Sequence, residues 1–365
     1  MLNTSFLDAL NGKPTTHTPM WLMRQAGRYL PEYLKTRQQA GSFMGLAQSP
    51  QLATEVTLQP LDRYDLDAAI LFSDILTIPD AMGLGLSFVQ GEGPKFSQPL
   101  KTEESILKLE VADMHKLQYV FDAVSSITKA LDQKLPLIGF SGSPFTLACY
   151  MTEGSGSHNN FEYTRSLMYK RPDLFEHILK INTQSVIDYL DQQALAGVNA
   201  FMIFDTWGGL LAEQNYLNFS LKYMQQIVTA LKQKHPTIPC IIFTKGGGVW
   251  LPHLANVENI SGIGIDWTIN IGRARQIVDA SKNTNTSKIA LQGNLDPVIL
   301  LSTPEQIEQS ATDMVNSYYQ VNKNLTGYIA NLGHGISQYT NPSHVEVYVN
   351  TVKAVSKKLL SIDKP

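Results

Sequence analysis

Cysteine is nearly absent from the 365-residue sequence: Cys149 and Cys240 are the two present, and no C-x-x-C occurs. A disulfide framework is excluded, and a reducing compartment is the simpler expectation. An excess of charge is missing too. Lys and Arg number 29 against 32 Asp and Glu, a formal charge of -3, with a pI near 6.2. This argues against a general nucleic-acid or anionic-membrane binder. An anionic small molecule stays open, because local arginine placement matters more than net charge. The start, MLNTSFLDALNGK, has neither a basic n-region nor an apolar h-region and does not read as a secretory signal. No stretch approaches the roughly 18 apolar residues of a membrane span. The expectation is a cytoplasmic protein.

Low-complexity tracts and Pro- or Ser-rich linkers are also lacking, so nothing marks a domain boundary. What recurs is a short apolar run, then polar residues, then a helix-like segment. The runs lie at 19–23, 68–72, 136–140, 200–204, 239–243, 260–265, 288–291 and 328–332. Apolar without alternation, they suit parallel strands buried on both faces. Eight β-α units favour a (β/α)8 barrel over an open doubly wound sheet. A helix start is legible at Ser302-Thr303-Pro304, with Thr303 as N-cap and Gln306 at N3. Ile307, Ala311, Met314, Val315 and Tyr318 follow along one face. The segment from about Ile75 to Lys116 is too long for a simple connection and carries Gly83, Gly85, Gly91 and Gly93. It is expected to be an excursion, a hairpin plus a short helix, beside the barrel.

Every run is followed by polar or glycine residues. Arg24 and Arg28 follow the first; Ser73-Asp74 the second; Ser141-Gly-Ser-Pro-Phe-Thr the third; Asp205-Thr206 the fourth. Lys245 and three glycines follow the fifth, Asp266-Trp267 the sixth, Gly293-Asn-Leu-Asp296 the seventh and Gly333-His334-Gly335 the eighth. In such a barrel, chemistry sits at the C-terminal ends of the strands, so these segments converge on one site.

Arg24 and Arg28, four apart across a small-residue turn, can aim two planar forks into one cavity, which suits bidentate carboxylate binding. A surface salt-bridge pair at helical spacing fits the local pattern equally. Arg37 is either a third anchor or a solvated helix residue. Asp74, between apolar neighbours, caps the following helix or stabilises a cation. Tyr150 is one turn and more into the helix after the third run; a core tyrosine is its plain reading. The stretch Gly154-Ser-Gly-Ser-His158 reads as a mobile loop and a candidate lid. His334 between two glycines lets the backbone approach a ligand closely. Walker and G-x-G-x-x-G patterns are absent. So are H-E-x-x-H and H-x-C, so no metal site is expected.

Two of these segments, MRQAGRYLPEY after a Pro-x-Trp strand and GFSGSPFTLACYMTEG, resemble the signatures of the uroporphyrinogen decarboxylase family. FSDIL, FDTWGG, FTKGGG, GIDW, LQGNLDP and NLGHGI are similar to further segments of that family, in the same order. The resemblance spans about Pro19 to His344, nearly the whole chain. It implies a single-domain (β/α)8 TIM-type barrel over residues 1–365, with an insertion after the second strand, usually forming a homodimer. The implied activity is that of a carboxy-lyase in porphyrin and haem synthesis. It would convert the four acetate arms of uroporphyrinogen III to methyl groups, giving coproporphyrinogen III and CO2. Carried over residue by residue, Arg24, Gln25, Ala26, Gly27, Arg28, Asp74, Tyr150, Thr206 and His334 would line the substrate pocket. Asp74, Arg24 and Arg28 would be catalytic. Thr206 stands where some members have Ser, and the hydroxyl is kept. Arg37 falls where some members have a further substrate-contacting arginine. Leu34 follows Tyr33 where many have an Arg, which removes one peripheral charge.

The implied chemistry fits these residue types. Protonating a pyrrole ring carbon makes an iminium-like cation that accepts the electron pair as CO2 leaves. A fixed carboxylate stabilises that cation, and arginine forks hold the carboxylate arms. Either arginine can relay the proton. The substrate supplies its own electron sink, so no cofactor, metal, nucleic acid or membrane is implied. A related barrel methyltransferase would need a zinc site with His and Cys ligands. A non-catalytic tetrapyrrole binder would be expected to have lost Asp74 or an arginine.

Overall fold

In a computed structural model describing residues 3–89, 93–156, 160–281 and 289–362, the apolar runs assemble into one sheet. The strands are β1 (Ala69–Ile70), β2 (Leu86–Val89), β3 (Gly93–Phe96), β4 (Leu137–Gly142), β5 (Ala200–Asp205), β6 (Cys240–Thr244), β7 (Gly262–Gly264), β8 (Ala290–Leu295) and β9 (Tyr328–Leu332). Seven of them form a curled parallel sheet in the order β1-β4-β5-β6-β7-β8-β9, and β2 pairs with β3 in an antiparallel hairpin. The strands β4, β5, β6, β8 and β9 are buried at every position. That is what a run without alternation requires.

The first run, 19–23, was expected to be a strand and forms a single parallel bridge, Met20 to Ala330. Side chains take the place of its ladder. Pro19 has no N–H to donate. Met20 N–H donates to the Asp67 carboxylate at 2.9 Å, Leu22 N–H to Gln25 Oε1 at 3.1 Å, and Met23 N–H to Asn331 Oδ1 at 2.9 Å. The segment still lies between the two ends of the sheet: Ala330 N–H donates to Pro19 O at 2.9 Å and Asp67 N–H to Met20 O at 2.8 Å.

Elsewhere the strands depart from the bounds of the runs: β1 and β7 are shorter than 68–72 and 260–265, while others run further. β4 continues through Ser141 and Gly142, and β8 continues to Leu295, pairing Asn294 with Asn331 on β9. The start of the seventh run, Lys288, lies outside the described residues. Between β1 and β4 come the β2–β3 hairpin and a short helix, Glu103–Leu107; Gly91 is outside the described residues. The helix Pro304–Asn322 starts as expected, with Thr303 Oγ1 accepting from Gln306 N at 3.4 Å. Its buried residues are Ile307, Ala311, Met314, Val315 and Tyr318. A cap contributes about 1 kcal/mol, whereas each large apolar side chain fully buried contributes roughly 1.5–3 kcal/mol. The apolar stripe therefore holds this helix in place.

Candidate active site

Four consecutive runs end on phenylalanine: Phe72, Phe140, Phe204 and Phe243. Three of these rings form a row across neighbouring strands. Phe140 meets Phe204 at 5.6 Å, Phe204 meets Phe243 at 6.1 Å, and Phe243 reaches the His334 ring at 6.4 Å. Phe72, Phe140 and Phe204 each keep 9% exposure, so they line a floor and are not sealed inside it. The residue two after each phenylalanine lies at or shortly past the end of its strand. Those residues are Asp74, Gly142, Thr206 and Lys245. Residues one after a phenylalanine turn into the protein: Ser73 towards Tyr189, Thr244 towards Tyr216 and Asp205.

The Arg24–Arg28 stretch is a turn and not a helix. Arg24 itself has φ 63, a left-handed conformation uncommon outside glycine. Gln25 is buried, its side chain spent on Leu22 N–H and on Ala68 O, so it holds the turn and leaves the cavity to its neighbours. Ala26 is partly buried. At Gly27 a Cβ would stand 2.9 Å from Arg24 O, closer than real side chains come. Arg63, Arg165, Arg171, Arg273 and Arg275 all bond to protein acceptors. Arg24, Arg28 and Arg37 have no such bond among the described residues, and one Arg37 nitrogen is buried without a partner. Arg37 lies beside Phe43, 5.5 Å from its ring. Burial, together with the repulsion of Arg28, lowers its pKa.

Asp74 bonds locally: Leu76 N–H donates to its Oδ1 at 2.8 Å. This is an Asx-type turn ahead of the short helix Thr77–Pro79, whose N-cap position is Leu76 without a side-chain cap bond, and it uses one oxygen. Enclosure by protein pushes the carboxyl above the usual carboxylate range, against the opposing pull of Leu76 N–H and the Arg24 guanidinium. Burial also raises the Tyr150 hydroxyl to about 12, with the charges of Asp74 and Arg24 both acting on it. The His334 ring is pushed down to about 3 by burial and by Arg24 and Lys245. Arg24 is thus within electrostatic reach of Asp74, Tyr150 and His334. Thr206, Tyr150 and His334 make no side-chain hydrogen bond of good geometry among the described residues. Trp207 Nε1, near the Tyr150 hydroxyl, makes none either. Polar groups in a protein are normally paired, and here a set of them is left open at adjoining strand ends.

Tyr150 is carried by the helix Pro144–Glu153, whose N-cap Ser143 accepts from Thr146 N–H and which ends at Gly154 with φ 86. The stretch read as a lid is tied at its start, since Phe96 N–H donates to Gly154 O at 2.7 Å. From position 157 to His158 it lies outside the described residues. The glycines around His334 serve the protein's own packing, where a close approach to a ligand had been expected. A Cβ at Gly333 would meet the backbone of Asp266 and Trp267, and one at Gly335 would stand 2.7 Å from Arg24 Cγ. Both cysteines are free and buried. Burial raises Cys149 well above the usual thiol range and Cys240 to about 12. Among the described residues no three His, Cys, Asp or Glu side chains gather as a metal site would need. No helix there is long and apolar enough to cross a membrane.

The sequence places Lys245 among the converging strand ends without a role, and the phenylalanine row is not read from it as cavity lining. The signal for both was in the sequence: a phenylalanine closing each of four runs, and the spacing of two that follows it.

The family model described as uroporphyrinogen decarboxylase (URO-D) matches residues 1–355. A uroporphyrinogen decarboxylase of Cupriavidus necator is 55% identical over 363 residues, 98% of this chain and 97% of that one. One from Neisseria meningitidis is 53% identical over 358 residues, 98% of each chain. Among solved structures, a methyltransferase from Methanosarcina mazei superposes with a TM-score of 0.78 at 17% identity, covering 96% of this chain and 98% of that one. A B12-independent methionine synthase from Shewanella gives 0.54 at 11% identity, covering 95% and 96%. At those identities the likeness is one of fold.

Proposed function

Because the chain belongs to the uroporphyrinogen decarboxylase family and is a carboxy-lyase acting on uroporphyrinogen, we propose that its open polar groups hold that substrate around Asp74. The four acetate arms of uroporphyrinogen III become methyl groups, giving coproporphyrinogen III and CO2. The observation that carries the assignment is the pairing pattern. Among the described residues, Arg24, Arg28 and Arg37 lack protein acceptors and one oxygen of Asp74 lacks a protein donor, so cations wait for carboxylates and an anion waits for pyrrole N–H groups.

In this reading a pyrrole ring carbon takes a proton, and the ring becomes an iminium-like cation. The bond to the carboxyl carbon then breaks, its electron pair flows into the ring, and CO2 departs. A proton at the methylene carbon and loss of the ring proton restore the pyrrole with a methyl group. Net, one proton replaces one CO2. Asp74 accepts the pyrrole N–H groups and stabilises the cation in a poorly solvated floor, where a fixed charge acts strongly. Arg24 and Arg28 grip carboxylate arms, and either can deliver the proton. Tyr150, Thr206 and neutral His334 donate to further arms, and the loop from Gln25 to Gly27 shapes the wall.

The ring supplies the electron sink, so turnover needs neither cofactor nor metal. We read the 19–23 segment as an eighth strand closing a single-domain (β/α)8 barrel over residues 1–365, with the β2–β3 region inserted after the second strand. A cytoplasmic homodimer completes the proposal. The test is incubation with anaerobically prepared uroporphyrinogen, with and without prior dialysis against a strong chelator, while counting product carboxylates. A ladder from eight to four after either treatment is expected. Loss of turnover that zinc restores would revive a metal-dependent reading, and no ladder at all would end this one.

A further inference from the structure

Lys245 occupies the position two past Phe243, the place that Asp74 and Thr206 hold two past Phe72 and Phe204. Lys245 stands in the turn directly after β6. Its ammonium stands between two indoles, 5.5 Å from the Trp207 ring and 5.8 Å from the Trp267 ring. Trp207 meets Tyr150 at 6.3 Å, and Trp267 meets His334 edge-on at 6.5 Å. A continuous wall therefore runs from Tyr150 to His334 with Lys245 at its middle.

The lysine has no counter-ion among the described residues, although two carboxylates are close in the chain fold. Asp205 is taken by Ser143, Ser220, Thr244 and Thr146. Asp266 is taken by the N–H groups of Gly246 and Thr268 and by the Thr268 hydroxyl. Lys245 is thus a partly buried cation whose acidic neighbours are occupied elsewhere. Arg24 lies across the sheet from it: the 19–23 segment sits between β1 and β9, with three strands between it and β6 in either direction. His334 feels both cations.

We infer that Lys245 binds a carboxylate arm of the substrate, on the wall facing the Arg24–Arg28 turn. The inference rests on the reading of this cavity as a polycarboxylate site. A flexible macrocycle with carboxylates around its rim is gripped from one side only by the arginine turn. A cation across the floor completes the grip and fixes the ring over Asp74. Trp207 and Trp267 hold the ammonium by their ring faces without neutralising it, so its charge stays available. Lys245 is a binding residue and takes no part in proton transfer.

The experiment compares Lys245→Met and Lys245→Arg with the unaltered protein on uroporphyrinogen, measuring KM, kcat and thermal unfolding together. Lys245→Met is expected to raise KM about tenfold or more, the scale of one hydrogen bond to a charged group, with kcat within about threefold and unfolding unchanged. Lys245→Arg should return KM to within about threefold. Unchanged KM in Lys245→Met overturns the inference. So does a loss confined to kcat, which would place the lysine in the chemistry, and so does failure of Lys245→Met to fold, which would make it structural. If the unaltered protein does not turn over uroporphyrinogen, the reading of the site fails before Lys245 is reached.

Discussion

Two aspartates, Asp74 and Asp205, follow phenylalanines near the ends of β1 and β5, strands with β4 between them in the sheet, and the protein wires them in opposite ways. Asp205 is fully buried and accepts from four hydroxyls: Ser143 at 2.6 Å, Ser220 at 2.8 Å, Thr244 at 3.2 Å and Thr146 at 3.3 Å. Asp74 accepts one backbone N–H on one oxygen. Desolvation raises both carboxyls, although Asp205 is sealed from solvent and Asp74 is half-buried, so a raised carboxyl alone does not separate a working carboxylate from a structural one. What separates them is how much of the carboxylate the protein itself has used. Asp205 ties the cap of the Tyr150 helix to β5 and β6, which makes it a joint of the scaffold. Among the described residues, Asp74 keeps one oxygen without a protein donor, the one assigned to substrate in the proposed reading.

The strongest way to break this comparison is to exchange charge for amide at Asp74. In Asp74→Asn the amide oxygen still accepts from Leu76 N–H, so the local turn survives. The raised carboxyl shows that enclosure opposes the charged form there, so folding at neutral pH should be unchanged or slightly improved. Turnover should fall by roughly 10²–10³-fold, the scale of one preorganised electrostatic partner. Thermal unfolding and kcat on one preparation decide the matter. A folded variant with near-normal kcat would remove Asp74 from the mechanism.

Asp205→Ala should do the reverse. It strands four buried hydroxyls, each costing about 1–3 kcal/mol when unsatisfied, part of which they recover by turning to backbone carbonyls. A stability loss on the order of 3 kcal/mol is expected in denaturant titration. KM of the protein that remains folded should stay near the unaltered value. An inactive Asp205→Ala of normal stability would show that the sealed carboxylate reaches the chemistry after all.

Part of this contrast is a matter of position along the chain and was legible. Asp74 is two past Phe72, beyond the end of β1, and Asp205, the last residue of β5, is one past Phe204. What could not be read is the wiring. The four hydroxyls on Asp205 come from positions 143 to 244, and no local pattern joins them. The same holds for the 19–23 run, where Asp67, Gln25 and Asn331 replace a ladder; Asn331 lies 308 residues from Met23. The apolar runs, the Thr303 cap and the stripe of Pro304–Asn322 were visible because each is encoded within a few residues. The partners of Arg24, Arg28 and Arg37 were not, because lacking an acceptor is a property of the whole folded surface.

The arginines extend the comparison to cations at a smaller scale. Arg63 is wired, donating to both oxygens of Glu32 at 2.8 and 3.0 Å; Arg28 is not. Arg28→Lys removes a planar two-pronged fork that an ammonium cannot replace. It should cost about 1.5–3 kcal/mol of substrate binding, read as a rise in KM with unchanged unfolding. Arg63→Lys, at an exposed pair worth roughly 0–1 kcal/mol, should leave KM alone and shift stability slightly. Equal kinetics in the two variants would erase the distinction.

The smallest effect expected is a pH dependence, and it sharpens the same contrast. His334 is held down to about 3 by burial and by Arg24 and Lys245, against about 6.5 in an unfolded chain. Below about 6.5 the unfolded chain therefore takes up a proton that folded His334 refuses. Its contribution to stability is complete above that pH and is lost as pH falls towards 3. Asp74, raised above its ordinary value, acts with the opposite sign, since its folded form binds a proton more readily than the unfolded one. Melting curves of the unaltered protein, His334→Gln and Asp74→Asn should accordingly diverge between pH 7 and 5. On acidification His334→Gln should lose less stability than the unaltered protein, and Asp74→Asn should lose more. Parallel curves for His334→Gln would mean that the ring is already solvated and free to charge. The proposed substrate should then reduce the divergence, because carboxylates seated on Arg24 and Lys245 relieve the repulsion that keeps His334 neutral.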